Sequence, residues 1–420
     1  MSCFPIAVTA DDLTGAADSA AALARPKAAV PVSLTPPPRA WQGRKAFAVN
    51  TDSRTCSPEE AHRRVRESVG ALRAIGAGVI YKKIDSNLRG NIGAEVAAVR
   101  EATGATVVLA PAFPARGRTT RGGVLLVNGA PVSDTEMAHD PQAPVTESEI
   151  VALLRATGGD CPISCCRLAA VRAGAGQLRE SFRAEGVVVC DAETDADLDV
   201  IAEAALSLSP VPALVGSAGL VAAVGRRLLG PPEPTRWAAS SAAPVLGVLA
   251  SASANLPRQV AAAAESGDIG AVPLLCARLS REEQPLPELN ETIAQALVEL
   301  TAGRNALVHA VGPLPDVAAP VDLVVEHLSH LAFVLARKGR PKGLLVGGGA
   351  TALGVLSALK AEAIEVDDQP LPGIAAGLVV AGEFAGRPVV LKPGAAGEEQ
   401  AVAQLFAYLG RRAAALEREP

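Results

Sequence analysis

Aromatic residues are scarce in this 420-residue chain: 3% of the total, as seven Phe, two Trp and two Tyr. Both cores must therefore be packed from Ala, Val, Leu and Ile, which suits Ala-rich helices. No run of about 18 uninterrupted apolar residues occurs, because Gly, Pro or a charge breaks each one. A mean hydropathy of +0.26 thus reflects buried cores and not membrane spans. No basic excess is present either. The net charge is -5, which argues against a general nucleic-acid binder. The start, MSCFPIAVTADD, lacks a basic stretch followed by a long apolar run and does not read as a signal peptide, so a cytoplasmic protein is expected. The seven cysteines are odd in number and the chain is long, which disfavours a disulfide scaffold. Cys161, Cys165 and Cys166 are close together, but no second CxxC or His cluster accompanies them, so they read as reduced thiols. Walker A, GxGxxG, HExxH and GxSxG are all missing. The lack of GxGxxG with a downstream acid weakens a dehydrogenase reading. The five histidines are scattered, and His327 and His330, three residues apart, read as a helix face.

What is present is alternation. Strand-like apolar runs alternate with Ala-rich helical runs from end to end, which predicts an α/β fold of two domains, each a largely parallel sheet flanked by helices. Residues 231–244, rich in Pro and Ser and without helical period, read as a linker between residues 1–230 and 245–420. In the first domain, strands are expected at 6–10, 45–50, 78–83, 106–110, 187–190 and 212–215. In the second they are expected at 245–249, 271–275, 306–310 and 343–346. A hairpin over 378–381 and 388–391 and a last helix from Glu398 complete the pattern.

Polar residues gather just after these strands. In open α/β sheets ligands bind outside the carboxyl ends of the strands. Four segments therefore aim acids and cations at one crevice. Asp11-Asp12-Leu13-Thr14-Gly15 offers paired carboxylates and then helix-start amides, which suit base or anion chemistry; plain helix capping is the alternative. Lys82-Lys83-Ile84-Asp85-Ser86-Asn87-Leu88-Arg89-Gly90-Asn91 supplies cations for a carboxylate and forked partners for hydroxyls. Arg54, Arg116 and Arg118 add positive charge at the same edge. Gly347-Gly348-Gly349 before a helix, and Lys392 with Gly394 and Gly397, are loops that could cradle phosphate.

Taken in order, residues 10–16 (ADDLTGA), 82–91 (KKIDSNLRGN), 111–118 (PAFPARGR), 191–198 (DAETDADL), 215–220 (VGSAGL) and 372–374 (PGI) resemble the four-carbon acid sugar kinase family over nearly the whole chain. The resemblance implies an N-terminal domain for the acid sugar and a C-terminal domain for ATP, with Mg2+. The reaction implied is phosphoryl transfer to the terminal hydroxyl of a C4 acid such as threonate, erythronate or an oxo-tetronate. It implies Asp12 as base, with Arg89 and Lys82 as catalytic cations. Asp11, Arg54, Lys83, Asp85, Ser86, Asn87 and Arg118 fall to substrate binding. Ser251, Ser253, Gly347, Gly348, Gly349, Thr351, Lys392, Gly394 and Gly397 fall to nucleotide binding, and no metal ligand is indicated. Departures from the family pattern lie at Asn87 (usually Thr), Ala250 (usually Gly), Ala350 (usually an acid) and Pro393 (usually Ser). They leave open a binding protein without turnover and a kinase with another acceptor, such as an amino-hydroxy acid. A two-domain monomer and a symmetric homodimer both remain compatible.

Overall fold

The computed structural model describes residues 6–35, 44–232, 244–251, 253–279, 287–314, 320–394 and 396–418. The chain divides into two compact units, Met1–Glu233 and Pro234–Pro420. Most of the expected linker, and Cys3, lie outside the described residues.

In the N-terminal unit the strands are β1 (Ile6–Ala10), β2 (Val30–Ser33), β3 (Ala46–Asn50), β4 (Val79–Lys83), β5 (Val107–Ala110), β6 (Arg118–Arg121), β7 (Val124–Val127), β8 (Ala130–Pro131), β9 (Ile163–Cys166), β10 (Val187–Cys190) and β11 (Ala213–Gly216). The helices are α1 (Leu13–Leu23), α2 (Pro58–Ala74), α3 (Ile92–Thr103), α4 (Ile150–Thr157), α5 (Leu168–Arg172), α6 (Ala175–Ser181), α7 (Asp195–Leu206) and α8 (Ala218–Leu229). The main sheet runs β2-β3-β1-β4-β11-β5-β10-β9, parallel throughout. β1, β3, β4, β5, β10 and β11 are buried along their whole length, as parallel strands covered on both faces must be.

Side-chain alternation assigns the layers. Ala7, Phe47, Val49, Val107, Leu109, Val187 and Val189 share one core with α2, α3 and α4. The opposite face carries α1, α7 and α8, packed against one another. α2 shows why such helices form. Ser57 caps it, Pro58 opens it, and Ala61, Val65, Ser68, Val69 and Leu72 make one buried stripe. The chain thus leaves β1 for one face of the sheet and leaves β3 and β4, on either side, for the other. That parting opens a crevice at the carboxyl end of β1.

In the C-terminal unit the strands are β12 (Val245–Leu249), β13 (Ile269–Leu275), β14 (Asn305–Val311), β15 (Gly343–Gly347), β16 (Ala363–Leu371), β17 (Ile374–Val380) and β18 (Pro388–Lys392). The helices are α9 (Leu256–Glu265), α10 (Pro287–Thr301), α11 (Pro320–Lys338), α12 (Gly349–Ala358) and α13 (Ala401–Leu416). The order is β13-β14-β12-β15-β18-β17-β16. The first five strands are parallel, and β17 pairs antiparallel with both β18 and β16. α9 packs with α13, whereas α10, α11 and α12 pack in a row. The chain leaves β12 towards α9 and leaves its neighbours β14 and β15 towards α11 and α12. The parting seen at β1 therefore recurs at β12. The last helix begins at Ala401, three residues after the expected Glu398, because Glu398 to Gln400 form the turn that leads into it.

Phe406, on α13, is the large aromatic plug of the C-terminal core, 2% exposed among Leu307, Leu345, Val390 and Leu405. Phe406→Ala is expected to lower unfolding free energy by about 3–5 kcal/mol, read from urea transitions. A loss under about 1 kcal/mol would contradict this packing.

Candidate active site

The crevice of the N-terminal unit is built from the strand ends outward. β1 stops at Ala10 and α1 starts at Leu13, so Asp11 and Asp12 occupy the turn between them. Asp12 is the N-cap of α1. Gly15 N donates to its Oδ1 at 2.8 Å and Thr14 Oγ1 to its Oδ2 at 2.6 Å. After β3, the amides of Ser53 and Arg54 donate to the Asp11 carbonyl at 3.0 and 3.3 Å. Arg54 is thereby fixed over both acids. Its Nε donates to Asp11 Oδ2 at 2.7 Å, and its Nη1 and Nη2 grip Asp12 at 3.0 and 2.7 Å. Nη2 also lies 3.8 Å from Asp85 Oδ1. Burial alone would push the Asp11 carboxyl up, but Arg54 and Lys82 pull it below its ordinary range.

After β4, Asp85 organises its own loop. It accepts from the amides of Asn87 at 3.1 Å and Arg89 at 3.4 Å, and from Arg89 Nε at 2.9 Å. Leu88, between them, takes the left-handed conformation at φ 61°, a local strain that the surrounding bonds hold in place. Arg89 also donates from Nη1 to Asp140 Oδ2 at 3.0 Å. Arg118, on β6, donates from Nε to Asn87 Oδ1 at 2.9 Å. Ser86 lies on the same loop and is buried. Lys83 sits against the first turn of α1, where a Cβ built on Gly15 would come within 3.2 Å of its Nζ.

Asp11, Asp12, Arg54, Lys83, Asp85, Ser86, Asn87, Arg89 and Arg118 thus gather at one sheet edge. Lys82 does not join them. Strand alternation turns it to the opposite face from Lys83, where its ammonium is fully buried 3.0 Å from Glu95 Oε2. Its ammonium is engaged with Glu95 on that face, so Lys82 stands as a support beneath the site. Glu95 and Asp140 were not anticipated. Glu95 also accepts from Ser53 Oγ. Its signal was its place in α3, where Ile92, Glu95, Val96 and Val99 form one buried stripe. Asp140 has no periodic context that would have revealed it.

Three of the quoted motifs have structural roles. Asp191 accepts from the amides of Gly122 and Gly123, pinning the β6–β7 turn. Ser217 caps α8 and donates to the Ala112 carbonyl at 2.6 Å. Pro372-Gly373 is the turn between β16 and β17, with Gly373 at φ 73°.

In the C-terminal unit, the ends of β12, β15 and β18 converge. Gly348 has φ 99°, and a Cβ there would collide with the Ala250 carbonyl. At Gly394 a Cβ would collide with Ser251 Oγ, so the two loops meet at van der Waals distance. Lys392 Nζ is buried and donates to the Gly394 carbonyl at 3.0 Å. Gln259 Nε2 holds the carbonyls of Ala396, Gly397 and Glu398. No side chain caps α12, so the amides of Gly349, Ala350 and Thr351 point out of the helix start without intrahelical partners. The sequence-predicted Ser251, Gly347, Gly348, Gly349, Thr351, Lys392, Gly394 and Gly397 lie on these three strand ends. Ser253 lies on the β12–α9 connection with them, its amide donating to Ser251 Oγ at 3.1 Å. Small residues, open amides and a cation fit a polyphosphate. Among the described residues no group of three His, Cys, Asp or Glu could hold a metal, and no helix is long and apolar enough to cross a membrane. His327 is buried on α11 with Nδ1 2.8 Å from the Leu323 carbonyl, the role of a helix-face residue.

Two measurements follow from this geometry. Lys82→Met leaves Glu95 buried without its partner and is expected to lower stability by about 3–5 kcal/mol in urea unfolding at neutral pH. A neutral effect would contradict the buried pair. For Asp85, burial pushes the carboxyl up, but Arg89 and Arg54 outweigh it and hold it well below the ordinary range. A depressed pKa contributes stability above the unfolded-state value and loses it as pH falls through the folded one. The stability gap between wild type and Asp85→Asn is therefore expected to narrow as pH drops below about 4. A gap independent of pH would refute the ion pairing.

Comparison with known proteins agrees with this geometry. Residues 6–224 match the family model of a sugar-binding N-terminal domain, and residues 246–402 that of a nucleotide-binding C-terminal domain. A D-threonate kinase of Bordetella bronchiseptica is 35% identical, over 94% of this chain and 95% of its own. A D-erythronate kinase of Heliobacterium modesticaldum is 30% identical, over 96% of this chain and 97% of its own. A crystal structure from Salmonella typhimurium, 22% identical, superposes with a TM-score of 0.76 over 95% of this chain and 98% of that one, which shows a shared fold. With family models over both units and kinase relatives at full length, the chain belongs to the four-carbon acid sugar kinase family.

Proposed function

We propose that the protein is an ATP-dependent kinase acting on the terminal hydroxyl of a C4 sugar acid such as threonate or erythronate. The acid is assigned to the N-terminal unit and the nucleotide to the C-terminal unit. One observation carries the reading. At the carboxyl edge of β1, Arg54 ties Asp11, Asp12 and Asp85 together around the start of α1, and Lys83 lies beside the first turn of that helix.

Within that cluster Asp12 has the most exposed carboxylate, 12% against 2% for Asp11 and 10% for Asp85. It is the side chain placed to accept the hydroxyl proton. Arg54 orients Asp12, and it is held too fully by Asp11 and Asp12 to serve chiefly as a substrate ligand. Lys83 and the first amides of α1 offer positive potential beside Asp12, where charge builds during transfer. Arg89, fixed by Asp85 and Asp140, provides a rigid donor face to the acid.

In the C-terminal unit, the amides of residues 349–351, Ser251, Ser253 and Lys392 would hold the phosphates, with Gly348 and Gly394 letting the backbone come close. ATP supplies the phosphoryl group, and Mg2+ neutralises charge on its phosphates. Among the described residues the unit brings no group of three His, Cys, Asp or Glu that could hold a metal, so the cation would be held mainly by the nucleotide. Such a nucleotide-using enzyme, with reduced cysteines, belongs in the cytoplasm.

The test is ADP release with Mg·ATP and a panel of C4 sugar acids. Turnover with at least one acid is expected, and Asp12→Asn should cut kcat by about 10²-fold or more. Full activity in that variant would remove Asp12 as base. Acid binding with no ADP release from wild type would make the protein a binding protein, not a kinase.

A further inference from the structure

The cations of the N-terminal crevice differ in what they already hold. Lys82 is matched by Glu95, Arg54 by Asp11 and Asp12, and Arg89 by Asp85 and Asp140. Arg118 forms no ion pair with a carboxylate among the described residues. Its Nε donates to Asn87 Oδ1 at 2.9 Å and its Nη1 to the Arg116 carbonyl, while Nη2 has no partner among the described residues. Arg116 lies over the Phe113 ring at 6.0 Å and forms no ion pair among the described residues. Burial pushes the Arg118 guanidinium pKa down. Arg116 and Arg89 push it further, against partial relief from Asp85 and Glu136. With Nη2 open and no carboxylate in ion-pair contact among the described residues, this half-buried guanidinium is placed to take an anion.

Asn87 supplies an independent observation. It is 7% exposed, and the Arg118 N–H fixes which end of its amide is oxygen. Its Nδ2 group therefore points the other way, with no hydrogen-bond partner among the described residues. Its backbone is fixed as well, its N–H donating to Asp85 Oδ2 at 3.1 Å. Asn87 Nδ2 and Arg118 Nη2 are thus rigidly placed donors on a joined pair of side chains. Donor pairs of this kind, one of them charged, match the two oxygens of a carboxylate.

We propose that Asn87 and Arg118 form the subsite for the acceptor's carboxylate, and that this pair makes the enzyme select an acid over a neutral polyol. The inference rests on the kinase reading above and gives the acceptor a direction, carboxylate at Arg118 and terminal hydroxyl at Asp12.

The experiment measures kcat/KM for the preferred C4 acid and for its primary carboxamide, which has the same shape without the charge. Wild type should favour the acid. Arg118→Gln should lower kcat/KM for the acid by about 10- to 100-fold, the range for lost charge-assisted hydrogen bonds, and leave the carboxamide within a few-fold. The preference would then collapse. Asn87→Ala should shift it in the same direction by less. An unchanged preference in Arg118→Gln, or an equal loss on both substrates, overturns the subsite. If that variant does not fold, Asn87→Ala decides, and an unchanged preference there overturns it. If wild type releases no ADP with any acid, the kinase reading fails separately. Calorimetric titration of the acid then tests the subsite alone, supporting it if binding is lost in Arg118→Gln or Asn87→Ala and refuting it if binding persists. Failure of wild type to bind any C4 acid refutes both.

Discussion

A single guanidinium, Arg54, lies among three carboxylates, and the N-terminal crevice is arranged around it. Asp11, Asp12 and Asp85 come from two strand ends that the parallel sheet forces together. Without a cation between them, three nearby acids would repel one another or take up protons. Arg54 makes their coexistence as anions physically tenable. The requirement propagates downward. Arg54 is set by the 51–54 turn, whose Ser53 is held by Glu95, and Glu95 is balanced by Lys82. A buried relay of ion pairs and hydrogen bonds therefore runs from the core to the cleft. Such a relay is rigid because every member would be strongly penalised if left alone.

Each unit obtains its crevice by the same topological device, a strand whose following helix crosses to the opposite face from those of its two neighbours. The chemistry placed at the two crevices differs. At β1 the strand ends carry acids, cations and amides in defined pairs, which suits a small ligand with several hydroxyls and a negative end. At β12 they carry glycine, serine and open helix-start amides, with Lys392 as a buried cation. On the proposed reading, side chains would recognise the ligand in the first crevice and backbone in the second. That difference explains why Pro393, Ala350 and Ala250 need not abolish phosphate binding. The amides of residues 349–351 remain available whatever side chain stands at 350.

Much of this was legible in the sequence. Buried parallel strands are continuous apolar runs, so β1, β4, β5, β10, β12 and β15 were located to within a residue or so, and their polar sequels pointed to the sheet edge. Elements with weaker patterns were not. β2 is four residues with a proline, β9 is a partly exposed edge, β16 is interrupted by Asp367, Asp368 and Gln369, and β6 to β8 are short strands in a polar insertion. Lys82 was expected as a catalytic cation and Lys83 as a substrate ligand, both at the cleft, because both close the same strand. The two-residue period of a strand separates them, one towards the cleft and one into the core. Glu95 lay on a buried helical stripe and could have been found that way. Asp140 required the tertiary structure, since nothing local marks it.

The most direct measurement is the thermal stability of the purified protein with Mg·ADP, with a C4 sugar acid, and with both, because a ligand that prefers the folded state raises its stability by mass action. The account predicts a shift with nucleotide alone, a shift with at least one acid alone, and the largest shift with the two together. A clear shift with an acid and none with nucleotide at millimolar concentration would contradict it, leaving the N-terminal crevice as a binding site without a phosphoryl donor.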